Sequence, residues 1–570
     1  NIRNSTDEQG RFLIPRVPTG SQTVRALMIG YTRIEATVPV MAGQEASVDL
    51  RLSPAVMQLD EVVITGQPGR TEKRALGNAI SKLDAGVIAE NAPTADLQDI
   101  LTGRTPGLTV ISNSGQVGTG VNVRIRGAGS LEAGYQPVYY IDGIRFEAGL
   151  QSAFGGGTTV QATSALSSLN PNDIESIEVV KGPAAATLYG ADAAGGVIQI
   201  ITKKGRRGAG VQWAFGAEVG ESEWTRYIGN PKNYWLCQAA DIRDPVSWPG
   251  CTGMDSLASP DTRLLLHDPL REDVLDAPAD LAGEPVIRVG KTHRYDLSAR
   301  GGGDFFNYYL SFDRNSEEGV YYNNFDRRTG GRANFEFTPS EKVDVALSFG
   351  YARTHTRQPW SDNSSNGVLR NAFRGRAKAS ADQWKPGWRG FSPELSNQYD
   401  QQIRAERTTI GLSTTYRPFS WFQNRLTLGL DKQDRKNTQF YPIDTTGLEP
   451  FGATNATGTI GHIIPITHVW TVDYAGTVNF NIKPDLSSAF SAGMQLNARQ
   501  RRTTEAFGEG LVASQLNLVG AAAVTRADED FSEQTSLGFY LQEQVGWRER
   551  LYVTGAVRID DNSAFGSDFS

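Results

Sequence analysis

The sequence predicts a mainly β protein in three parts: a small N-terminal β-sandwich, an α+β domain, and part of a large antiparallel barrel of membrane-crossing strands. Three observations predict it. From Val211 onward, segments of about ten residues alternate apolar with small or polar side chains, as lipid-facing strands do. The connections between those segments alternate short and long. Ahead of them, Asp173 to Lys204 reads as strand, sharp turn, small-residue helical turn, glycine-rich turn and strand.

Composition narrows the classes. At 570 residues the chain is long enough for several domains. Hydrophobic residues make up 39%, and no apolar run reaches the roughly 18 residues of a spanning helix. That excludes a helical membrane protein but not a barrel, whose strands dilute hydropathy. The net charge of -7 argues against a nucleic-acid binder. The chain begins at Asn1, without a leader and inside what reads as a domain, so truncation is expected.

Residues 1–53 alternate. Phe12 and Ile14 precede a turn at Pro15 to Gly20; Val24, Ala26 and Met28 share a face; Val38 and Val40, then Val48, Leu50 and Leu52 follow. Short strands separated by turns predict the sandwich. Residues 54–75 differ. Asp60, Glu61, Val62, Val63, Ile64 and Thr65 form a short β-prone run between Pro54 and Pro68-Gly69. The run is either the last sandwich strand or a free strand that pairs with the sheet edge of a partner, where backbone hydrogen bonds carry the affinity.

Residues 76–209 are the α+β domain. Thr94 caps a short helix whose Leu97, Ile100 and Leu101 share one face. Thr109 to Ser112 reads as a strand. Gly115, Gly118 and Gly120 read as a turn, since no phosphate-loop lysine or helix follows them. Val121 to Gly127 alternates, with Arg124 and Arg126 on its polar face, either solvated or paired with a covering surface. Pro137 to Ile141 is a strand and Asp142-Gly143 a hairpin turn. Ile174 to Val180 and Val197 to Ile201 are strands. Gly182-Pro183 opens the crossover between them, Tyr189-Gly190 ends its helical turn, and Gly195-Gly196 turns the chain back.

Residues 210–570 hold eleven candidate strands: 211–219, 293–300, 304–313, 331–338, 343–351, 407–416, 424–431, 470–480, 486–496, 537–547 and 551–559. Short turns, such as Gly301-Gly302-Gly303 and Lys483-Pro484, contrast with long loops at about 220–291, 354–402, 433–466 and 498–533. Such barrels keep short turns on the periplasmic side and long loops outside the cell. Trp224, Tyr234, Trp235, Trp248, Trp360, Trp384, Trp388 and Tyr399 fall in the loops, either to grip ligand or to pack on one another. Cys237 and Cys251 share one loop; a disulfide there would stabilise it by about 3 kcal/mol in the chain-entropy model, and two free thiols are the other reading.

The stretch from Asp173 to Lys204 resembles the end of the plug domain of TonB-dependent outer-membrane transporters. Leu166-Ser167-Ser168-Leu169-Asn170-Pro171 before it resembles the SusC/RagA-like branch. DEQGRFLIPRVPTG and the following strand resemble a carboxypeptidase-regulatory-like module. The resemblance implies a plug inside a 22-stranded barrel, of which eleven strands are about half, so a fragment lacking both ends is expected. It implies that Asp60 to Thr65 is a TonB box. It also implies that Arg124, Arg126 and Gly127, with Lys181, latch plug to wall, and that Gly182, Pro183, Tyr189, Gly190, Gly195 and Gly196 are the plug motif. The implied partners are TonB with ExbB and ExbD, a SusD-like surface lipoprotein, outer-membrane lipid and a nutrient ligand. The implied activity is import across the bacterial outer membrane; a receptor or adhesin without transport is the alternative. The five histidines are scattered, and no HExxH, GxSxG or CxxC stands in the chain, so neither an enzyme, a metal nor a cofactor is expected.

Overall fold

The computed structural model describes residues 6, 11–26, 34–50, 62–63, 71–72, 80–91, 97–112, 114–127, 136–151, 162–181, 189–225, 233–238, 262–267, 269–276, 278–374, 385, 388, 391–444, 453–513, 515–548 and 550–565. The chain divides into two units near residues 62–75. In the first, β1 (Gly20–Ala26) pairs antiparallel with β2 (Ile34–Val40). Val48 and Leu50, expected in a strand, lie in irregular chain. One hairpin is thus the regular structure among the described residues of this unit. The alternation of Val48 and Leu50 is too short to define a strand without a pairing edge. At the division, β3 (Val62–Val63) and β4 (Thr71–Glu72) form a two-residue ladder.

The second unit opens with an α+β domain. Its sheet has the order β5 (Ile80–Leu83), β12 (Ile174–Val180), β13 (Val197–Thr202), β8 (Val138–Ile141), β9 (Ile144–Phe146). Around it lie β6 (Leu108–Ser112) paired with β7 (Val121–Ile125), and β10 (Leu150–Gln151) paired with β11 (Thr163–Ser164). β12 and β13 are central and buried on both faces, which is why they read as near-continuous β-branched runs. Ile177, Val179, Ile198 and Ile200 face α1 (Ala85–Asn91) and α2 (Leu97–Leu101), whose Leu97, Ile100 and Leu101 are fully buried. Val180 and Val197 face Tyr140 and Tyr189 on the other side. Between β8 and β9, Asp142 (φ 50°) and Gly143 (φ 87°) take the paired left-handed conformation of a tight hairpin turn.

The rest is one sheet of eleven strands, each antiparallel to the next. It runs from β14 (Gln212–Ser222), past the inserted hairpin β15 (Asn233–Gln238) and β16 (Thr262–His267), to β17 (Gly290–Gly302), β18 (Phe306–Glu318), β19 (Phe325–Ser340) and β20 (Val343–Arg357). It continues through β21 (Asp400–Phe419), β22 (Phe422–Tyr441), β23 (Thr459–Lys483), β24 (Leu486–Leu511), β25 (Ala522–Trp547) and β26 (Leu551–Asn562). Its edges are β14 and β26. No helix among the described residues is long and apolar enough to cross a membrane.

The sheet is inside out compared with a water-soluble one. Trp213, Phe215, Leu297, Phe312, Phe349, Leu428, Trp470 and Phe539 are exposed, while Asn315, Arg328, Thr409, Asp431, Gln433 and Asn497 at alternate positions are buried. That inversion is the signature of a wall with lipid outside and polar contents inside.

Four of the long strands outrun expectation. β22 continues to Tyr441, β23 begins at Thr459, β24 continues to Leu511 and β25 begins at Ala522. The expected loops at 433–466 and 498–533 shrink to 442–458 and 512–521. On β22 the outward face reads Leu426, Leu428, Leu430 and then Lys432, Asp434, Lys436. Above that change both faces are polar, so the apolar alternation that marks a strand is lost although the ladder persists.

Leu428→Arg places a charge in the apolar band and is expected to destabilise the barrel by about 2–4 kcal/mol, read from urea unfolding of the full-length protein in bilayers. Lys436→Ala, above the band, is expected to leave the midpoint unchanged.

Candidate functional site: the seam between inner domain and wall

Two wall arginines hold the inner domain by its main chain. Arg328 on β19 donates through Nε to Asp313 Oδ2 of β18 at 2.8 Å. Its Nη1 reaches the carbonyl oxygens of Ser167 and Leu169. Arg407 on β21 donates through Nε to Asp431 Oδ1 of β22 at 2.8 Å. Its Nη2 donates to Asp431 Oδ2 and to the carbonyl of Glu147 at 2.8 Å, its Nη1 to the carbonyl of Ala165 at 3.5 Å, and its guanidinium lies 3.3 Å from the Phe146 ring centroid. Each aspartate anchors its arginine, and each arginine spends its remaining donors on the inner domain. The side chains of the two pairs are 7% and 6%, and 3% and 1%, exposed, so these ions are satisfied by one another and by the inner domain rather than by water.

The residue after β9 is clamped on every side. The Glu147 amide donates to Asp431 Oδ2 at 3.0 Å, its carbonyl takes Arg407, and its carboxylate takes Arg499 Nε of β24 at 2.8 Å. Val117 is held in a similar way. Its N–H donates to Asn324 Oδ1 at 3.0 Å, and its carbonyl accepts from Asn324 Nδ2 at 3.0 Å and Gln358 Nε2 at 3.1 Å. The turn at Gly115 to Gly120 thereby docks on the wall; a Cβ at Gly118 (φ +77°) would meet Thr356 Cγ2 at 2.6 Å.

The segment Leu166 to Asp173 is the main docking strip. Ser164 and Asn170 cap two short 3₁₀ turns, Ala165–Ser168 and Pro171–Asp173. The first turn and its cap Leu169 present the Ala165, Ser167 and Leu169 carbonyls that Arg407 and Arg328 take, beside the Glu147 carbonyl. Asp173 Oδ1 accepts from Tyr309 Oη at 2.9 Å, and Asn172 Nδ2 donates to Asp296 Oδ1 at 3.1 Å.

Packing adds a peg. Gly411 and Gly429 face each other across β21 and β22, and the buried Ile144 side chain sits in the hollow they leave. A Cβ would lie 2.4 Å from Ile144 Cδ1 at Gly411 and 2.6 Å from Ile144 Cγ2 at Gly429. Below it, Asp142 accepts from the Thr202 N–H and hydroxyl at 3.0 and 2.6 Å, tying the hairpin to β13.

The residues singled out from sequence are placed as follows. Arg124 is half-buried on β7; Arg126 is exposed at φ 57° and donates its N–H to the Gly107 carbonyl at 2.7 Å; Gly127 follows at φ 95°. Lys181 is buried at the end of β12. The plug-to-wall ion contacts described above come from the opposite partner: arginines on the wall, acceptors on the inner domain. Arg328 and Arg407 sit at polar positions of long strands, where nothing distinguishes a clamp from a residue facing water.

Tyr189 is buried 5.1 Å from the Tyr140 ring, and burial pushes its phenol above the ordinary range. Gly190 (φ 87°) lies under Arg558, and Gly195 closes the 3₁₀ turn Ala191–Gly195. Gly196 (φ 96°) has Ile125 Cδ1 2.7 Å from where a Cβ would be, so a side chain is excluded there on two counts. Gly182 and Pro183 lie outside the described residues, as do Asp60, Glu61, Ile64, Thr65 and Cys251; of the Cys237 side chain nothing is described.

The loop aromatics that are described pack on their own protein. Trp360 stacks on Tyr399 at 4.0 Å, with Tyr441 5.4 Å from Tyr399, and Trp388 donates to Asp273 Oδ2 at 2.7 Å. Beneath them Tyr321 Oη and Gln116 Nε2 donate to Asp362, whose carboxyl burial pushes up.

A polar-lined, lipid-facing wall closing on a domain gripped by its main chain defines an outer-membrane β-barrel protein with an internal plug. Residues 72–197 match the TonB-dependent receptor plug domain, and residues 1–64 match the CarboxypepD_reg-like domain. The TonB-dependent receptor SusC of Bacteroides thetaiotaomicron is 35% identical over 360 residues, covering 62% of this chain and 31% of SusC. A TonB-dependent receptor of Formosa agariphila is 23% identical over 598 residues, covering 99% of this chain and 50% of the relative. The RagAB peptide importer in its open-open state superimposes with a TM-score of 0.69 at 19% identity, covering 89% of this chain and 57% of that one. Residues 72–197 thus carry a plug domain of the TonB-dependent receptor kind, and the chain is similar to SusC/RagA-like TonB-dependent outer-membrane proteins; it spans half or less of the length of these two relatives.

Arg407→Met strands the buried Asp431 charge and is expected to cost about 3–5 kcal/mol in urea unfolding; adding Asp431→Leu is expected to return most of it. Gly429→Val is expected to cost about 1–3 kcal/mol by overpacking against Ile144. In an Ile144→Ala background that cost is expected to vanish, a coupling read by a double-mutant cycle of melting temperatures.

Proposed function

We propose that the whole protein imports a nutrient across the bacterial outer membrane, driven by TonB. One observation carries the reading. The plug meets the wall through hydrogen bonds and ion pairs to its backbone, and the wall face it meets is polar. Water can replace each such bond as it breaks, at a net cost of about 1 kcal/mol for a neutral pair and about 1.5–3 kcal/mol where a guanidinium donates. An apolar interface of the same area would resist withdrawal far more strongly. A plug seated this way is secure at rest and can be drawn loose by force from below.

The force enters through Asp60 to Thr65, the proposed TonB box. Val62–Val63 already has strand geometry, which suits pairing with an edge strand of TonB. The outer membrane holds no ATP, so the work comes from the inner membrane through TonB with ExbB and ExbD. Cargo binds at the loop side of the plug. It is a peptide, an oligosaccharide or a metal chelate, and a SusD-like lipoprotein lid is the surface partner. The relatives are named as receptors and importers, and the chain carries no chemistry of its own in this reading.

Val63→Pro removes a backbone donor from the box. Cells carrying the full-length variant are expected to bind a pool of labelled peptides, oligosaccharides and ferric chelates as the native protein does, and to import none of it. Uptake by the native protein that persists without TonB would instead indicate a passive channel, and binding with no uptake at all a receptor or adhesin.

A further inference from the structure

Among the described residues, three spaces between plug and wall are aligned. They follow one another down the inner faces of β19, β20 and β21. The uppermost, 20 Å³, lies between Ala165 and Ser168 of the docking strip and Thr354, Ala405 and Arg407 of the wall. The next, 30 Å³, lies between Leu169 and Asp173 and the wall residues Gly330, Gly350, Arg407 and Thr409. The lowest, 460 Å³, lies between Asp142, Gly143 and Lys204 of the plug and Ser348, Ser413 and Thr427 of the wall. In register terms the line descends β20 from Ala352 through Gly350 to Ser348, and β21 from Ala405 through Thr409 to Ser413, toward the short turns. Glycine and alanine at these inward positions are what leave the space.

Two plugs of side chain interrupt the line. Arg407 lines both upper spaces and separates them by reaching across to the plug. Ile144, pegged between Gly411 and Gly429, sits beside the lowest space, which Gly411 and the adjoining hairpin residue Gly143 line. Both closures depend on one element. The β8–β9 hairpin carries Ile144, and Glu147 directly after it receives Arg407. A single displacement of that hairpin withdraws the peg and frees Arg407 from the Glu147 carbonyl together.

We infer that this seam along β19–β21 is the route cargo takes past the plug, with the β8–β9 hairpin as its one gate. The inference rests on the import reading above. The lowest space is of ligand-holding size and lined by hydroxyls, among them Ser348, Ser413, Thr415 and Thr427. Its charges are paired in place: Lys204 with Glu336, and Arg207 and Arg417 with Asp344. Such a lining exchanges hydrogen bonds with a hydrophilic solute without offering a bare charge to trap it. The cargo it suits is polar and rich in hydrogen-bonding groups.

Ser348→Trp and Ser413→Trp in the full-length protein fill the lowest space. Each is expected to lower TonB-dependent uptake of the same labelled pool at least tenfold while surface binding stays within twofold of native. Gln544→Trp, an inward position away from the seam, is expected to import normally. If the tryptophan variants do not assemble, Ser348→Cys and Ser413→Cys are assembled first and then loaded with a bulky maleimide, with the same expected block. Native-rate uptake by filled variants present in the outer membrane would overturn the route and leave import intact. Absence of TonB-dependent uptake by the native protein would remove the import reading, and the route with it.

Discussion

Hydrocarbon on the outside of the wall dictates what can hold anything on its inside. A strand alternates its side chains, so a run that offers Leu426, Leu428 and Leu430 to lipid must offer Thr427, Gly429 and Asp431 to the lumen. The lumen face is thereby polar by construction. Whatever fills it cannot be retained by an apolar core of the ordinary kind. It must be retained by hydrogen bonds, ion pairs and shape.

Arg328 and Arg407 answer that constraint with the same device. Each is fixed by an aspartate on the neighbouring strand, which cancels its charge and sets its orientation. What remains free is a directed set of N–H donors aimed at carbonyls. Charge-assisted bonds of this sort are roughly twice as strong as neutral ones. Because they read the plug's backbone rather than its side chains, the plug's requirement is conformational: the turn from Ala165 to Leu169 and the chain at Glu147 must present those carbonyls. The Ile144 peg supplies the complementary element of shape, fixing where along the wall the hairpin stops.

The strands were legible where one face met lipid. All eleven wall strands lie where alternation put them, and the antiparallel order follows from their short turns. Legibility ended where the lipid ended. Beyond Leu430 on β22, and over most of the upper parts of β24 and β25, both faces are polar, while upper β23 carries Ile460, Ile463, Ile464 and Ile466 without regular alternation; these segments read as loops although their backbones stay paired. The plug sheet was legible for the opposite reason: β12 and β13 are covered on both faces and appear as unbroken β-branched runs. Arg124 and Arg126 stand out in the sequence as an arginine pair on one short strand, inside a segment resembling the family's latch motif. Arg328 and Arg407 escaped notice among many charged residues at lumen-facing positions, since their partners lie 15 and 24 residues away and on the plug.

Taken alone, the chain determined what period and composition can encode: strands, turns, the lipid-facing parity, and the glycines at 190 and 196 that the plug's backbone demands. Those depend on neighbours within a few residues. Which carbonyl meets which guanidinium, that Ile144 enters the Gly411–Gly429 hollow, and where space is left along β19–β21 were decided only by folding. Each joins segments tens to hundreds of residues apart, and a contact made across the barrel's interior leaves no periodic trace in either strand that makes it.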